Sequence, residues 1–229
     1  KYKKKFSLKV GVLTFNPMPK MYFNNDIKNF RISNQKQKFN LLSRYNIDFV
    51  ISKKFNKNFS KTRSITFIKE ILQKKLNAKF IFVSNNFRFG YKREGSVKQL
   101  IKLQNECRYK IVKPKPLFIK KKIVSSTLIR NYLKIGKLHK ANSLLNRKWT
   151  IVGKVQKGRR LGKKIGFPTA NIDIKDYVMA CPGVYAVKAK KQNGKKYIKG
   201  IANLGYRPTF NGKKILLEVH LFNFSGNLY

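Results

Sequence analysis

The sequence predicts two domains of different class: an α/β domain over residues 1–146, followed by a small antiparallel all-β barrel over residues 147–229. Three observations carry this. Apolar runs that read as strands alternate with helically spaced segments through the first part, the signature of a parallel sheet with crossover helices. Beyond Asn146-Arg147-Lys148-Trp149 the pattern changes to short strands separated by glycine-containing turns. With 229 residues, 42% of them apolar and 13% aromatic, the chain is long enough for two modest cores.

In order, Lys9 to Phe15 is rich in Val and Leu and is bounded by Asn16-Pro17-Met18-Pro19, so it reads as a buried strand ending in a loop. Gln35 to Tyr45 is weakly helical, and Ile47 to Ser52 is a second strand. Ser64 is placed to cap a helix whose Ile65, Ile68, Ile71 and Leu72 follow helical spacing. Phe80 to Ser84 returns as a strand, and ligands of such a sheet bind beyond the carboxyl ends of its strands. Val124-Ser125-Ser126-Thr127-Leu128-Ile129-Arg130 opens a helix to about Leu133, ended near Gly136, and His139 to Asn146 forms another. Thr150 to Val155, Gly183 to Lys190, Tyr197 to Asn203 and Ile215 to Phe222 are the strands expected of the barrel, with Gln192-Asn193-Gly194 as one of its turns.

Composition narrows the function. Cys107 and Cys181 are the only cysteines and His139 and His220 the only histidines, too few for a disulfide framework, a zinc site or a serine-protease-like triad. No apolar run approaches ~18 residues and no signal peptide is evident, so a cytoplasmic protein with no membrane partner is expected. The 54 Lys and Arg against 8 Asp and Glu give a net charge of +46, which attracts any polyanion and raises an RNA-binding protein as the rival from another class. The basic residues fall 11, 13, 14 and 13 in successive blocks of 50 up to residue 200, however, so they form no concentrated patch and no specific nucleic-acid partner is expected.

The richest stretch runs from Gly153 to Asn171. Gly153, Gly158, Gly162 and Gly166 free the backbone for close approach to a ligand, and Lys157, Arg159, Arg160, Lys163 and Lys164 set cations between them, as a polyphosphate requires. Pro168 then fixes φ before two neutral oxygen ligands, the Thr169 hydroxyl and the Asn171 amide, which suit Mg²⁺. The spacing is equally that of a basic hairpin turn followed by an ordinary strand, and it is not a Walker A loop. On the strand from Ile215 to Phe222, Glu218 shares a face with Leu216, His220 and Phe222. A carboxylate shielded by apolar neighbours suits a general base acting on a hydroxyl; the alternative is a surface glutamate paired with a lysine.

The 153–171 stretch resembles the nucleotide-binding loop and Pro-Thr-Ala-Asn motif of riboflavin kinases, in the form found in bacterial bifunctional riboflavin kinase/FAD synthetases. Leu217-Glu218-Val219-His220 resembles the segment carrying their catalytic glutamate. Gly183-Val184-Tyr185-Ala186 and Asn203-Leu204-Gly205-Tyr206-Arg207-Pro208-Thr209-Phe210 match further segments of that barrel. The resemblance implies ATP binding by Gly158, Gly162, Lys164, Gly166 and Pro168, Mg²⁺ on Thr169 and Asn171, and catalysis by Glu218.

Upstream, Thr14-Phe15-Asn16-Pro17-Met18-Pro19 and Asn85-Asn86-Phe87-Arg88-Phe89-Gly90 resemble elements of the family's Rossmann-like FMN adenylyltransferase module, implying flavin contacts from Asn16, Pro17, Asn86, Phe87 and Phe89. Val124 to Arg130 resembles the Ser-Ser-Thr-x-Ile-Arg motif of nucleotidylyltransferases, implying ATP-phosphate binding by Ser126, Thr127 and Arg130; a plain helix cap is the alternative. Riboflavin, FMN and ATP are then the small-molecule partners, with FAD as product and Mg²⁺ as the metal.

The chain departs from this pattern in places. The family's His-x-x-His sequence would precede the first strand, and both histidines here lie far downstream. Asn223-Phe224-Ser225-Gly226-Asn227-Leu228-Tyr229 has Asn where the family has two acids, and Ser84 stands where a glycine is usual. Lys1 and Tyr229 read as interior positions of a longer chain, without the family's final strand and helix. A kinase joined to an inactive adenylyltransferase, and a flavin carrier without ATP consumption, stay open beside the bifunctional enzyme.

Overall fold

The computed structural model describes residues 2–24, 26–27, 29–156, 166–192, 194, 196–209 and 212–226, with the backbone alone for 207–209 and 212–214. The chain forms two compact units, one of residues 1–25 and 47–124, the other of residues 26–46 and 125–229.

In the first unit the strands Gly11–Asn16 and Phe49–Lys54 pair in parallel, Gly11 opposite Phe49 and Asn16 opposite Lys54. Phe80–Phe82 and Lys110–Val112 form a second parallel pair. The parallel order expected from the sequence is present, although among the described residues no ladder joins the two pairs. Their core gathers Phe67, Ile68, Leu72, Phe89, Leu100, Cys107 and Tyr109. Burial raises the pKa of the Tyr109 phenol to about 12, and its hydroxyl donates to the Leu100 carbonyl, so this polar tip is satisfied inside the core.

The helix at Ser64 differs from expectation in two ways. It begins as α-helix over Ser64–Thr66 and continues as a wider π-helix over Phe67–Lys75. That change of period turns Phe67, Ile68 and Leu72 inward and leaves Ile65 exposed. Nor does Ser64 cap the helix with its hydroxyl. Its own N–H donates to Glu94 Oε1 at 2.7 Å, and Arg63 Nε donates to the same oxygen at 2.9 Å. A carboxylate brought from 30 positions downstream thus satisfies a donor at the positive end of the helix.

In the second unit five strands form one antiparallel sheet in the order Gly183–Ala189, Ile198–Thr209, Gly212–Leu221, Thr169–Ile172, Val155–Gln156. Among the described residues no ladder closes it into the expected barrel. Thr150 to Gly153, expected as strand, are irregular, and only Val155–Gln156 pairs. Leu217, Val219 and Leu221 enter the core with Ala202 and Leu204, so the alternation expected along this strand is observed. The helices Ser126–Lys134 and Leu138–Leu145 supply Ile129, Leu133 and Ala141 to that core.

Residues 29–37 also belong to this unit. Arg31 bridges in parallel to Tyr177, Trp149 Nε1 donates to the Ile32 carbonyl at 2.8 Å, and Gln37 Nε2 donates to the Thr150 carbonyl at 2.9 Å. The Gln35–Leu42 helix then starts from a capping box, in which Asn34 Oδ1 accepts from the Gln37 N–H while Gln37 Oε1 accepts from the Asn34 N–H.

Candidate functional site

Cross-strand register builds the site. Asn171 stands opposite Glu218, Glu218 opposite Asn203, and Asn171 opposite Gln156 on its other side. Directly opposed residues of antiparallel strands share a face, with Cβ atoms about 4.5–5.5 Å apart, so Asn203, Glu218, Asn171 and Gln156 form one polar row across four strands. Thr169, two residues before Asn171, lies on the same face and opposes His220. Thr169, Asn171 and Glu218, singled out from the sequence, are therefore brought together on the face opposite the apolar core.

Their environments differ. Glu218 and Thr169 are half-buried, whereas Asn171 is 8% exposed. Its Oδ1 is buried and accepts no hydrogen bond, in a fold where nearly every buried polar atom finds a partner. An unpartnered amide oxygen two residues from a threonine hydroxyl and opposite a carboxylate is a donor set of hard, neutral and anionic oxygens, and it fits Mg²⁺. Among the described residues no group of three or more His, Cys, Asp or Glu side chains offers a competing metal site.

Beside this row lies a cleft of about 530 Å³ lined by Gly166, Pro168, His220, Leu221, Asn223, Phe224 and Ser225. Gly166 turns the chain into the strand with φ +80°, and a Cβ there would meet nothing within 4 Å, so backbone conformation rather than crowding demands glycine. His220 Nδ1 is 2.9 Å from the Pro168 carbonyl oxygen. Gly158, Gly162 and Lys164, expected on the nucleotide, lie outside the described residues.

Ser126, Thr127 and Arg130 belong to the second unit. Ser125 takes the capping role, its hydroxyl accepting from the Leu128 N–H at 3.2 Å, and this leaves Ser126 and Thr127 exposed in the first turn. Arg130 Nε donates to the Phe30 carbonyl at 2.8 Å, and its Nη1 donates to Ser126 Oγ at 3.3 Å. The guanidinium lies 3.7 Å over the Phe30 ring, and burial lowers its pKa from the ordinary value.

The two loops expected to contact flavin lie in the first unit, each just past the carboxyl end of a parallel strand. Asn16 ends its strand, and its carbonyl accepts from the Phe55 N–H at 3.0 Å; Pro17 is half-buried beside it. Asn86 is exposed, and its Oδ1 accepts from the Ser84 hydroxyl at 2.9 Å, so Ser84 orients the asparagine. Phe87 is half-buried and stacks on Phe89 at 5.4 Å. Phe89 is 8% exposed and packs on Phe67, which makes it a core residue beneath the loop. Gly90 has φ +76°, and a Cβ there would come within 2.8 Å of the Ser64 backbone.

Sequence reasoning missed Asn203, His220 and Glu94. Strand register could have found Asn203, since it follows from pairing the two long strands around their shared turn. Glu94 gives no local signal, because its partners lie about thirty residues away.

Two family models match: FAD synthetase over residues 1–128 and riboflavin kinase over residues 145–229. The chain is thus a tandem of two transferase modules of flavin-nucleotide synthesis. It is 40% identical over 229 residues to the bifunctional riboflavin kinase/FMN adenylyltransferase of Buchnera aphidicola subsp. Schizaphis graminum, covering 99% of this chain and 73% of that one. With the Escherichia coli K12 protein of the same name the identity is 36% over 226 residues, covering 99% and 72%. The chain belongs to the bifunctional riboflavin kinase/FMN adenylyltransferase family.

A crystal structure described as that of a macrolide-efflux protein from Streptococcus pneumoniae is also similar, with a TM-score of 0.79 and 26% identity, covering 99% of this chain and 73% of that one. The efflux description names an activity that neither matching family model shares. Among the described residues no helix is long and apolar enough to cross a membrane.

Proposed function

We propose that the chain performs both steps of FAD formation in the cytoplasm: it phosphorylates riboflavin to FMN and adenylylates FMN to FAD, with ATP as co-substrate in each. The observation that carries the first step is the row Asn203–Glu218–Asn171 with Thr169 beside it. Asn171 and Thr169 hold Mg²⁺, which when bound offsets the charge of the ATP phosphates. Glu218 accepts the proton of the riboflavin 5′-hydroxyl as its oxygen bonds the γ-phosphorus and ADP leaves. Gly166 and Pro168 shape the cleft in which the nucleotide lies, with Gly158, Gly162 and Lys164 as its further contacts.

In the second step an FMN phosphate oxygen attacks the α-phosphorus of ATP and pyrophosphate leaves. Asn16, Pro17, Asn86 and Phe87 take the flavin, with Phe89 supporting Phe87 from the core. Ser126, Thr127 and Arg130 take the ATP phosphates.

The test supplies riboflavin or FMN with ATP and Mg²⁺ and separates the flavins by chromatography. Conversion of riboflavin to FMN that is lost in Glu218→Ala supports the kinase assignment; turnover unchanged by that substitution overturns it. One observation favours a second reading. Arg130 is engaged with Phe30 and Ser126, which leaves less of it for a phosphate. A chain that makes FMN from riboflavin and no FAD from FMN is a kinase with an inactive adenylyltransferase module.

A further inference from the structure

We infer that His220 is a positioning residue for the metal-binding strand: its imidazole holds the Pro168 carbonyl and thereby sets Thr169. This deepens the kinase reading above and rests on Thr169 and Asn171 being the Mg²⁺ ligands.

The hold acts at the first residues of the strand Thr169–Ile172. Asn171 and Ile172 pair on both sides, with Glu218 and Leu217 on one and Gln156 and Val155 on the other. Thr169 and Ala170 pair with His220 and Val219. Before them stands Pro168, which has no N–H to give a ladder, and before that Gly166 in the left-handed region. One of the two proposed ligands therefore stands directly after a residue that gives the ladder no N–H.

His220 ties the carbonyl of that proline. A carbonyl oxygen only accepts, so the 2.9 Å contact between Nδ1 and the Pro168 oxygen requires the proton on Nδ1 and makes Nε2 the acceptor of the neutral ring. The ring is held in turn: Phe167 meets it edge-on at 5.5 Å and Phe222 at 5.8 Å. The bond and both ring contacts lie on the sheet face that carries Thr169 and Glu218.

The experiment compares His220→Ala and His220→Asn in the full chain. Asparagine carries its amide nitrogen on Cγ, as histidine carries Nδ1, so it can donate to the same carbonyl. His220→Ala should raise the Mg²⁺ concentration for half-maximal riboflavin phosphorylation about tenfold, and His220→Asn should restore most of the metal response. Two readouts need no turnover. Binding of Mn²⁺ in the presence of ADP, followed by electron paramagnetic resonance, should weaken in the alanine variant alone. The ¹⁵N spectrum of His220, with His139→Asn removing the other histidine, should show the Nδ1–H tautomer.

The inference is overturned if the asparagine variant matches the alanine variant, if neither changes the metal response, if both only lower the melting temperature, or if the ring carries its proton on Nε2. Absence of riboflavin phosphorylation in the unsubstituted chain would instead overturn the kinase reading, and the tautomer and Mn²⁺ measurements would still report on His220.

Discussion

Replacing Asn171 by alanine separates a ligand held ready from a residue that stabilises the fold. Asn171 is 8% exposed and its Oδ1 has no hydrogen-bond partner, and a buried acceptor left unsatisfied costs about 1–3 kcal/mol. Alanine removes that penalty. It also removes the packing of the amide, which offsets the gain by a similar amount, on the order of 1 kcal/mol for so small a group. The backbone pairing of residue 171 with Glu218 and Gln156 survives the change. The metal-free variant is therefore expected to melt within about 4 °C of the parent or slightly above it, since 1 kcal/mol moves a chain of this size by roughly 2–4 °C. A buried asparagine whose oxygen was fully bonded would instead drop the melting temperature by about 4–10 °C. Melting curves in EDTA, set beside Mg²⁺-dependent riboflavin phosphorylation, read both quantities. A large fall in melting temperature with phosphorylation intact would refute the argument that this oxygen waits for a metal.

Glu218→Gln keeps the volume and removes the base, so turnover should fall about 10²–10⁴-fold while the ATP concentration for half-maximal rate stays near its original value, measured by steady-state kinetics. Gly90→Ala forces a Cβ against the Ser64 backbone at a positive φ, which costs roughly 1–3 kcal/mol in backbone strain alone; the urea midpoint should fall and FMN binding by fluorescence should weaken with it. The Glu94 pKa is held below the ordinary carboxylate value, first by the Ser64 N–H and then by Arg63. Its contribution is thus fully present above the ordinary glutamate value of ~4.3 and is lost as pH falls through the lower folded value. The gap in urea midpoint between the parent and Glu94→Gln should be open at pH 7 and narrow as pH falls below the ordinary glutamate value, and a gap that stays constant with pH would refute the role.

The sequence made the strands legible because their cause is local. Leu217, Val219 and Leu221 alternate with Glu218 and His220, and the sheet buries the first set as that alternation requires. From Thr169, Asn171 and Glu218 the site could be assembled in advance, since one period-2 strand carries the first two and a second carries the third. What the sequence hid depends on partners distant along the chain. The widened helix at Phe67–Lys75 breaks the spacing on which the Ile65 face was read, and the Ser64 N–H in the α-helical turn before it is met by a glutamate from another loop. His220 looked like an isolated imidazole because its partner is a backbone oxygen 52 residues away, and backbone oxygens have no letter in a sequence.

The placement of residues 29–37 bears on how such a protein can be divided. A gene cut between the two matched regions, after residue 128 or before 145, would leave the Trp149 indole without its Ile32 acceptor and Tyr177 without Gln37. The downstream fragment would begin life with an uncovered aromatic seam. Two freestanding genes made from this chain would therefore require new material to line that seam, so that selection for a solo kinase acts on its wrapping before it acts on its catalysis.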